Sequence, residues 1–386
     1  MVVLLGFVAF CHFGLAFLLW ANRLRSPRLS LAKPMQTGPS QTSVPAVPSV
    51  LVVVPARNEE NNLEDCVASI LSQDYPALTV RVVDDHSTDS TGQIAAVWAK
   101  RDARLSVVQP PPLSPGWLGK PHAVHHGVRG ASADYVLFVD ADVRLTPSAV
   151  SRAVGLAEEK RAGLTTVMPE LVALSFWERA TQPVIGLLLC GLLDPVKTND
   201  PDRKEAAGFG PFMLFRKDAY DALGGHQAVA REVIEDLRLA QLVKEKRLGL
   251  CVAHGTEFVK LRMYDNLRSL VAGWSKNFHV VLGQTRFLAP LFALMLAVVF
   301  ALPTCACVWA LVWRATGHPW PAWLLWAAVA YGFDALARGS LFWNYDVTPR
   351  GFRALGGVVT GYILCNSAYR AALGRSLTWK DRTISV

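Results

Sequence analysis

Tyr135-Val136-Leu137-Phe138-Val139-Asp140-Ala141-Asp142 is a run of five strand-forming, mostly apolar residues that ends in two aspartates one residue apart. Such a run predicts a strand buried on both faces, with both carboxylates at its C-terminal end. Ligands of open α/β sheets collect at the carboxyl ends of the strands. Two carboxylates there suit a hard divalent cation, and that cation can neutralise a diphosphate. Asp is equally a common turn residue, so the tripeptide by itself fits a solvated turn as well as a metal site.

The flanking sequence supplies the rest of a sheet. Residues 50–54 form an apolar run stopped by Pro55, and residues 79–83 form another, closed by Asp84-Asp85-His86-Ser87-Thr88-Asp89. That cluster can cap a helix beginning near Ser90. Residues 105–108 give a third strand and residues 135–139 a fourth, with helical segments at 61–71 and 122–128. Strands alternating with helices over about a hundred residues predict an α/β fold with a parallel, nucleotide-binding sheet.

Composition adds a membrane. Of 386 residues, 52% are hydrophobic and 18% charged, below the roughly 25% charged content of soluble domains. Twelve tryptophans, many near the C-terminus, fit interfacial anchoring. The net charge is +8, and the cations cluster beside apolar segments with no nucleic-acid module in view. Lipid surface and phosphate are therefore the expected partners, and nucleic acid is not. Seven scattered cysteines without a C-x-x-C pair make neither a disulfide framework nor a zinc site.

Residues 2–20 are long and apolar enough to span a bilayer, and Arg23, Arg25, Arg28 and Lys33 follow them. Charge after the apolar core reverses the order of a cleaved signal peptide, so this is a signal anchor with the following chain in the cytosol. Residues 34–48 read as a flexible linker. Residues 176–193, broken by Pro183, read as an interfacial helix. Residues 287–313 and 319–337 read as transmembrane helices, and 354–369 as a re-entrant or third segment. The expected organisation is an anchor (1–21), a basic juxtamembrane segment and linker (22–49), a catalytic domain (50–282) and a C-terminal membrane region (283–386). This describes a multi-pass inner-membrane protein with a cytoplasmic catalytic domain.

Val-Pro-Ala-Arg-Asn-Glu-Glu at 54–60, Val-Asp-Asp-His-Ser-Thr-Asp at 83–89 and Asp-Ala-Asp at 140–142, in this order, resemble the signatures of family 2 glycosyltransferases. The resemblance implies a GT-A fold, one Rossmann-like sheet that binds a nucleotide-sugar through a divalent metal. Gly116-Trp117-Leu118-Gly119-Lys120-Pro121-His122-Ala123, Gly208-Phe209-Gly210-Pro211-Phe212, Gly224-Gly225-His226, Glu235-Asp236 and Gly273-Trp274-Ser275-Lys276-Asn277 narrow the likeness. With these, the chain resembles membrane-anchored carotenoid-acid (diaponeurosporenoate-type) glycosyltransferases of bacteria and, more distantly, hopanoid-associated and ceramide glucosyltransferases. The likeness covers residues 51–282 well and the tail loosely.

The resemblance implies the roles. Asp140 and Asp142 would hold Mg2+ or Mn2+, with Asp140 also near the ribose. Pro55, Ala56, Arg57, Asn58, Glu59, Asp84 and Asp85 would border the uracil and ribose of a UDP-sugar, although Asp84 and Asp85 also suit helix capping. Lys120, framed by a Gly-rich turn and a helix start, can reach a diphosphate. Asp236 would deprotonate the acceptor, with Glu235 as the alternative. Gly210, His226, Trp274 and Lys276 would lie on the acceptor or diphosphate side; membrane-interface packing suits Trp274 as well. His122, His125 and His126 have helical spacing for zinc but no further ligand nearby in sequence. Processive relatives carry Gln-x-x-Arg-Trp where this chain has Leu270, Gly273 and Trp274, which argues against a polysaccharide synthase. The expected activity is inverting, metal-dependent transfer of one sugar from a UDP-sugar to a membrane lipid. Transfer to a polyprenyl phosphate and an inactive scaffold with the same fold are the alternatives.

Overall fold

The structure, a computed structural model, describes residues 1–35, 47–192, 194–282, 287–340, 352–373, 377–379 and 382–384. It divides into a unit that holds most of the expected catalytic domain (hence the catalytic unit), Ser26–Glu170 with Leu193–Arg262, and a helical unit, Met1–Arg25 with Leu171–Leu192 and Met263–Val386. The boundary expected after residue 282 therefore falls at Arg262, and the segment from Leu171 to Leu192 groups with the helices. Residues 36–46 of the expected linker lie outside the described residues.

The catalytic unit is built on a seven-stranded sheet of order β3-β2-β1-β4-β8-β6-β9. β1 (Val50–Ala56), β2 (Leu78–Asp84), β3 (Leu105–Val108) and β4 (Tyr135–Val139) run parallel, as the β-branched runs predict. Every residue of β4 is buried, as a central strand covered on both faces requires. β5 (Val143–Leu145) leaves this sheet after the Asp140–Asp142 turn, before β6 (Leu164–Met168) and β7 (Glu170–Leu171). β8 (Phe212–Arg216) runs antiparallel between β4 and β6, and β9 (Leu250–His254) pairs parallel with β6. β10 (Val259–Leu261) pairs antiparallel with β5 in a small second sheet with β7.

The chain winds outward from β1 to β2 and β3, then returns to β4 on the other side of β1. That reversal makes the crevice beyond β1 and β4 the expected ligand position. Pro55 helps to open it. β1 pairs with β2 through Ala56 but with β4 only through Val53, so Pro55, which has no N–H, lies in the part released from β4.

Helix α1 (Val2–Arg25) belongs to the helical unit; α2 (Leu63–Leu71), α3 (Thr91–Arg101), α4 (Gly119–Val128) and α5 (Ala149–Lys160) belong to the catalytic unit. α4 lies flush on the sheet because Gly127 has no side chain: a Cβ there would come within 2.6 Å of Val53 and 2.7 Å of Val83. The basic segment after α1 is docked. Leu29 is fully buried, the Met35 N–H donates to the Ser151 carbonyl, and Arg152 donates to the Ser30 and Ala32 carbonyls.

α6 (Phe176–Leu192) of the helical unit starts with a capping box. Glu178 accepts from the Ser175 and Leu174 N–H groups while its own N–H donates to Ser175 Oγ. The helix continues through Pro183 instead of breaking there. α7 (Pro195–Asn199), α8 (Lys217–Leu223) and α9 (Glu235–Glu245) return to the catalytic unit. The helical unit closes with α10 (Leu267–Leu282), α11 (Ala289–Ala315), α12 (Leu324–Ser340), α13 (Phe352–Ala372) and a hairpin of β11 (Leu377–Trp379) and β12 (Arg382–Ile384).

Small residues bring these helices together. A Cβ at Gly356 of α13 would meet the Ala180 carbonyl of α6, and Gly357 and Gly361 lie against Phe300 and Ala293 of α11. The segment expected to be re-entrant or a third span is one unbroken helix, α13. Of the expected spans, α11 is the one helix among the described residues long and apolar enough to cross a membrane. The apolar stretches of α1 (Val2–Gly14) and α12 (Leu324–Phe333) are shorter. Phe7, Phe10, Trp309 and Leu311 nonetheless expose more than half of their surface, which a water-facing helix avoids.

Candidate functional site

The loops after β1 and β2 are stitched together across the crevice. Arg57 Nη1 donates to the Asp85 carbonyl at 2.6 Å and to the His86 carbonyl at 3.3 Å. The Asn58 N–H donates to Ser87 Oγ, the Glu59 N–H to Thr91 Oγ1, and Asn58 Oδ1 accepts the Thr88 N–H. Asn58 (φ 51°) and His86 (φ 55°) are both left-handed, a conformation that non-glycine residues hold only when their surroundings fix it. Asp84 serves the turn: its Oδ1 accepts from the Ser87 N–H, and its other oxygen faces Gly92 in the first turn of α3. Asp85 is buried, and its N–H donates to the Ala56 carbonyl. The two aspartates therefore shape the loop as well as bordering the crevice.

Lys120 is the centre of the second cluster. α4 begins at Gly119, three residues earlier than its sequence suggests, so Lys120 stands in its first turn. Its Nζ lies 2.7 Å from Asp140 Oδ1 and 2.9 Å from Glu235 Oε1. Desolvation pulls the ammonium pKa down, but Asp140, Glu235 and Asp236 together hold it well above the ordinary lysine range. Lys120 thus joins the carboxylate expected to meet the metal to the pair expected to supply the base.

Glu235 and Asp236 open α9, where carboxylates are favoured by the helix dipole. Asp236 Oδ2 accepts the Gly210 N–H at 2.8 Å, and Oδ1 accepts the Leu237 N–H. Burial, seconded by the charge of Glu235, outweighs these donors and Lys120, so the Asp236 carboxyl is pushed up to about 6. The glycines of the 208–210 loop make this approach feasible. A Cβ at Gly208 would clash with the Asp236 backbone, and one at Gly210 would sit 3.1 Å from Asp236 Oδ2 and 3.2 Å from Lys120 Nζ.

Other expected residues are placed elsewhere. His226 is 3% exposed, bonded through Nδ1 to the Tyr220 hydroxyl at 2.7 Å, with its ring edge-on to Phe138 behind β4. Burial holds its pKa down at about 3, so it is a neutral core residue rather than an open contact on the acceptor or diphosphate side. Trp274 and Lys276 lie on α10 of the helical unit, and the Trp274 ring packs with Tyr264 and Phe278. Gly273 is pressed onto Tyr264, where a Cβ would meet the ring within 2.5 Å; that contact explains why no arginine stands there. His126 meets His122 and His125, and Trp117 meets His122 and His125, in edge-on or tilted ring contacts.

Among the described residues, no three His, Cys, Asp or Glu side chains gather so as to hold a metal by themselves. Asp140 and Asp142 still fit Mg2+ or Mn2+, because such ions keep waters and substrate phosphates among their oxygen ligands and need only one or two carboxylates. The sequence reading missed Cys66, which packs under this turn with its Sγ 3.5 Å from the Asp140 carbonyl. Burial, ahead of the charges around it, pushes its thiol well above the ordinary range, so it is inert packing. A cysteine in an amphipathic helix carries no distinguishing signal.

The glycosyl transferase family 2 model matches residues 51–224. The 4,4'-diaponeurosporenoate glycosyltransferase of Staphylococcus aureus strain USA300 is 32% identical over 242 residues, 62% of this chain and 63% of that protein. The protein of the same name from strain MRSA252 gives the same figures. The matched part is therefore less than two thirds of these relatives' length. Among solved structures, a mannosyltransferase from Pyrobaculum calidifontis in complex with GDP-Man and Mn2+ superposes with a TM-score of 0.50 at 18% identity. The superposition covers 95% of this chain and 99% of that one, and it shows a shared fold.

Proposed function

We propose that this chain, whose residues 51–224 match the glycosyl transferase family 2 model, is a member of that family and transfers one sugar from a UDP-sugar to a membrane lipid. The observation that carries the reading is Lys120 held between Asp140 and Glu235, beside Asp236, at the reversal of the sheet. One small cluster thus offers a cation for a leaving diphosphate and a carboxyl of raised pKa for an acceptor proton.

In this reading the end of β1 (Pro55, Ala56) with the Arg57, Asn58 and Glu59 that follow it, and the end of β2 (Asp84) with the following Asp85, border the nucleoside. Asp140 and Asp142 would hold Mg2+ or Mn2+, which when bound offsets diphosphate charge. The P. calidifontis mannosyltransferase, solved with a nucleotide-sugar and Mn2+, is consistent with this. Lys120 orients the diphosphate and stabilises its departure. Asp236, fixed by the Gly210 and Leu237 N–H groups, takes the acceptor proton as the acceptor attacks the anomeric carbon, and Glu235 keeps Lys120 in place. A single displacement from the face opposite the diphosphate inverts the anomeric configuration. An acceptor that is a carboxylic acid is ionised near neutral pH and needs little help from a base.

The lipid acceptor is supported by α11 and the exposed apolar residues of the helical unit and by the name of the S. aureus relatives. We place the catalytic unit on the cytoplasmic side, as the cations after α1 imply. Lipid extraction and mass spectrometry of cells with and without the gene test the proposal. A glycolipid that disappears with the gene is expected; an unchanged glycolipid profile overturns the lipid acceptor.

A further inference from the structure

α6 carries a buried polar turn that the packing of the helical unit does not use. Gln182 is 1% exposed and Thr181 fully buried. Among the described residues, neither Gln182 Oε1, Gln182 Nε2 nor Thr181 Oγ1 has a hydrogen-bond partner. Pro183 follows at once and has no N–H for the Arg179 carbonyl one turn back. The same unit holds two further buried polar atoms without partners, Trp274 Nε1 on α10 and Ser367 Oγ on α13. These two helices pack on each other and on α6, and Asn366 donates to Ser275 Oγ between them at 2.9 Å. An unsatisfied buried polar group costs about 1–3 kcal/mol, and native structures retain few of them without a reason.

We propose that the polar turn of α6 binds the head group of a long-chain amphiphile, with Gln182 as its principal ligand. The assignment rests on the lipid acceptor of the preceding section and names the chemistry of its polar end. An amide offers a donor and an acceptor side by side, so its complement must both accept and donate: a hydroxyl, or a carboxylic acid that burial keeps protonated. Thr181 Oγ1 beside it and, on the helices that pack against α6, Ser367 Oγ and Trp274 Nε1 are the other unpartnered groups of this unit among the described residues, and none of the four is a cation. A phosphate monoester accepts without donating when ionised, so it would leave Gln182 Oε1 unpaired and its own charge uncompensated. The site therefore selects long-chain alcohols, or long-chain acids in their protonated form, over long-chain phosphates.

Direct binding tests this without requiring sugar transfer. Retinol, whose absorption overlaps tryptophan emission, is titrated into the full-length protein in detergent micelles, with hexadecanol or hexadecyl phosphate as competitor. The expected result is saturable quenching, displacement by hexadecanol, and displacement by hexadecyl phosphate at least about tenfold weaker, equivalent to about 1.4 kcal/mol. Gln182→Leu should weaken retinol binding at least about tenfold without lowering Tm, because an apolar side chain removes an unsatisfied amide. Trp274→Phe, which keeps a ring and loses the N–H, supplies a second variant with weaker binding. Equal affinity in native protein and Gln182→Leu, non-saturable quenching in both, or tighter binding of the phosphate overturns the assignment. Weakened binding in Gln182→Leu together with an unchanged cellular glycolipid profile would instead sustain this site and refute the transfer reaction.

Discussion

Replacing Lys120 by Ala removes a charge shared by Asp140, Glu235 and Asp236, and the consequences can be worked from the geometry. The two short contacts are 2.7 and 2.9 Å. Breaking a buried pair costs about 3–5 kcal/mol, but Lys120 keeps 38% of its side chain exposed, so solvent screening reduces the loss to about 1–3 kcal/mol. For a unit of this size that is a fall in Tm of about 2–10 °C. The loss has a pH signature. Lys120 lowers the Asp236 pKa, so its removal lifts a carboxyl already near 6 still higher. A carboxyl whose folded pKa exceeds its unfolded value holds more protons when folded, and stability then falls as pH rises through the interval between the two. The Tm deficit of Lys120→Ala should therefore be largest above about pH 6 and shrink toward pH 4. In activity, kcat should fall about 10²–10³-fold through loss of the cation facing the diphosphate. The acid limb of kcat/KM should move to higher pH. Differential scanning fluorimetry from pH 4.5 to 8 and UDP-release kinetics over the same range make the measurement. A pH-independent Tm deficit, or an acid limb that stays put, would refute the shared-cation account.

Asp236→Asn should lower kcat by about 10²–10⁴-fold. Its Tm at pH 7 should be equal or higher, since the buried carboxylate is disfavoured and Asn still offers an oxygen to the Gly210 N–H; a lower Tm with activity retained contradicts the base role. Gly208→Ala sets a Cβ 2.2 Å from a backbone oxygen and should destabilise by about 2 kcal/mol or more in thermal melts. Gly210→Ala meets only the flexible ends of Asp236 and Lys120. Its Tm should stay near native while kcat falls about tenfold through misplacement of the pair. Gly273→Arg, which would install the processive motif, should destabilise the protein by collision with Tyr264, and it should not yield polymer when products are sized by chromatography.

The parallel core of the sheet was legible because β-branched runs, short helices and strand-end acids repeat at close spacing; observed β3 and β4 coincide with the stretches read from sequence. β8 was not singled out. Phe212–Arg216 is four apolar residues and an arginine, and its insertion between β4 and β6 is a tertiary pairing with no local mark. In the site, Asp140, Lys120, Glu235 and Asp236 were found individually, yet their union depends on three chain segments converging on one ammonium. His226 was misplaced because a histidine after two glycines looks the same in sequence whether its ring faces a ligand or Tyr220. Gln182 escaped notice beside Pro183, in a segment whose apolar run dominated the reading. The apolar segments fold as helices close to their expected places, but packing on small residues, rather than hydropathy alone, decides how they group.

The central claim is that Asp140 and Asp142 serve a UDP-sugar diphosphate through a divalent cation. UDP release should be followed with UDP-sugars, GDP-sugars as reference, and a membrane lipid extract, in Mn2+, in Mg2+ and in EDTA, for the native protein and Asp142→Ala. The account predicts metal-dependent UDP release by the native protein, its loss in EDTA, and loss of about 10²-fold or more in Asp142→Ala. Equal release by both proteins, or release unaffected by EDTA, would contradict it.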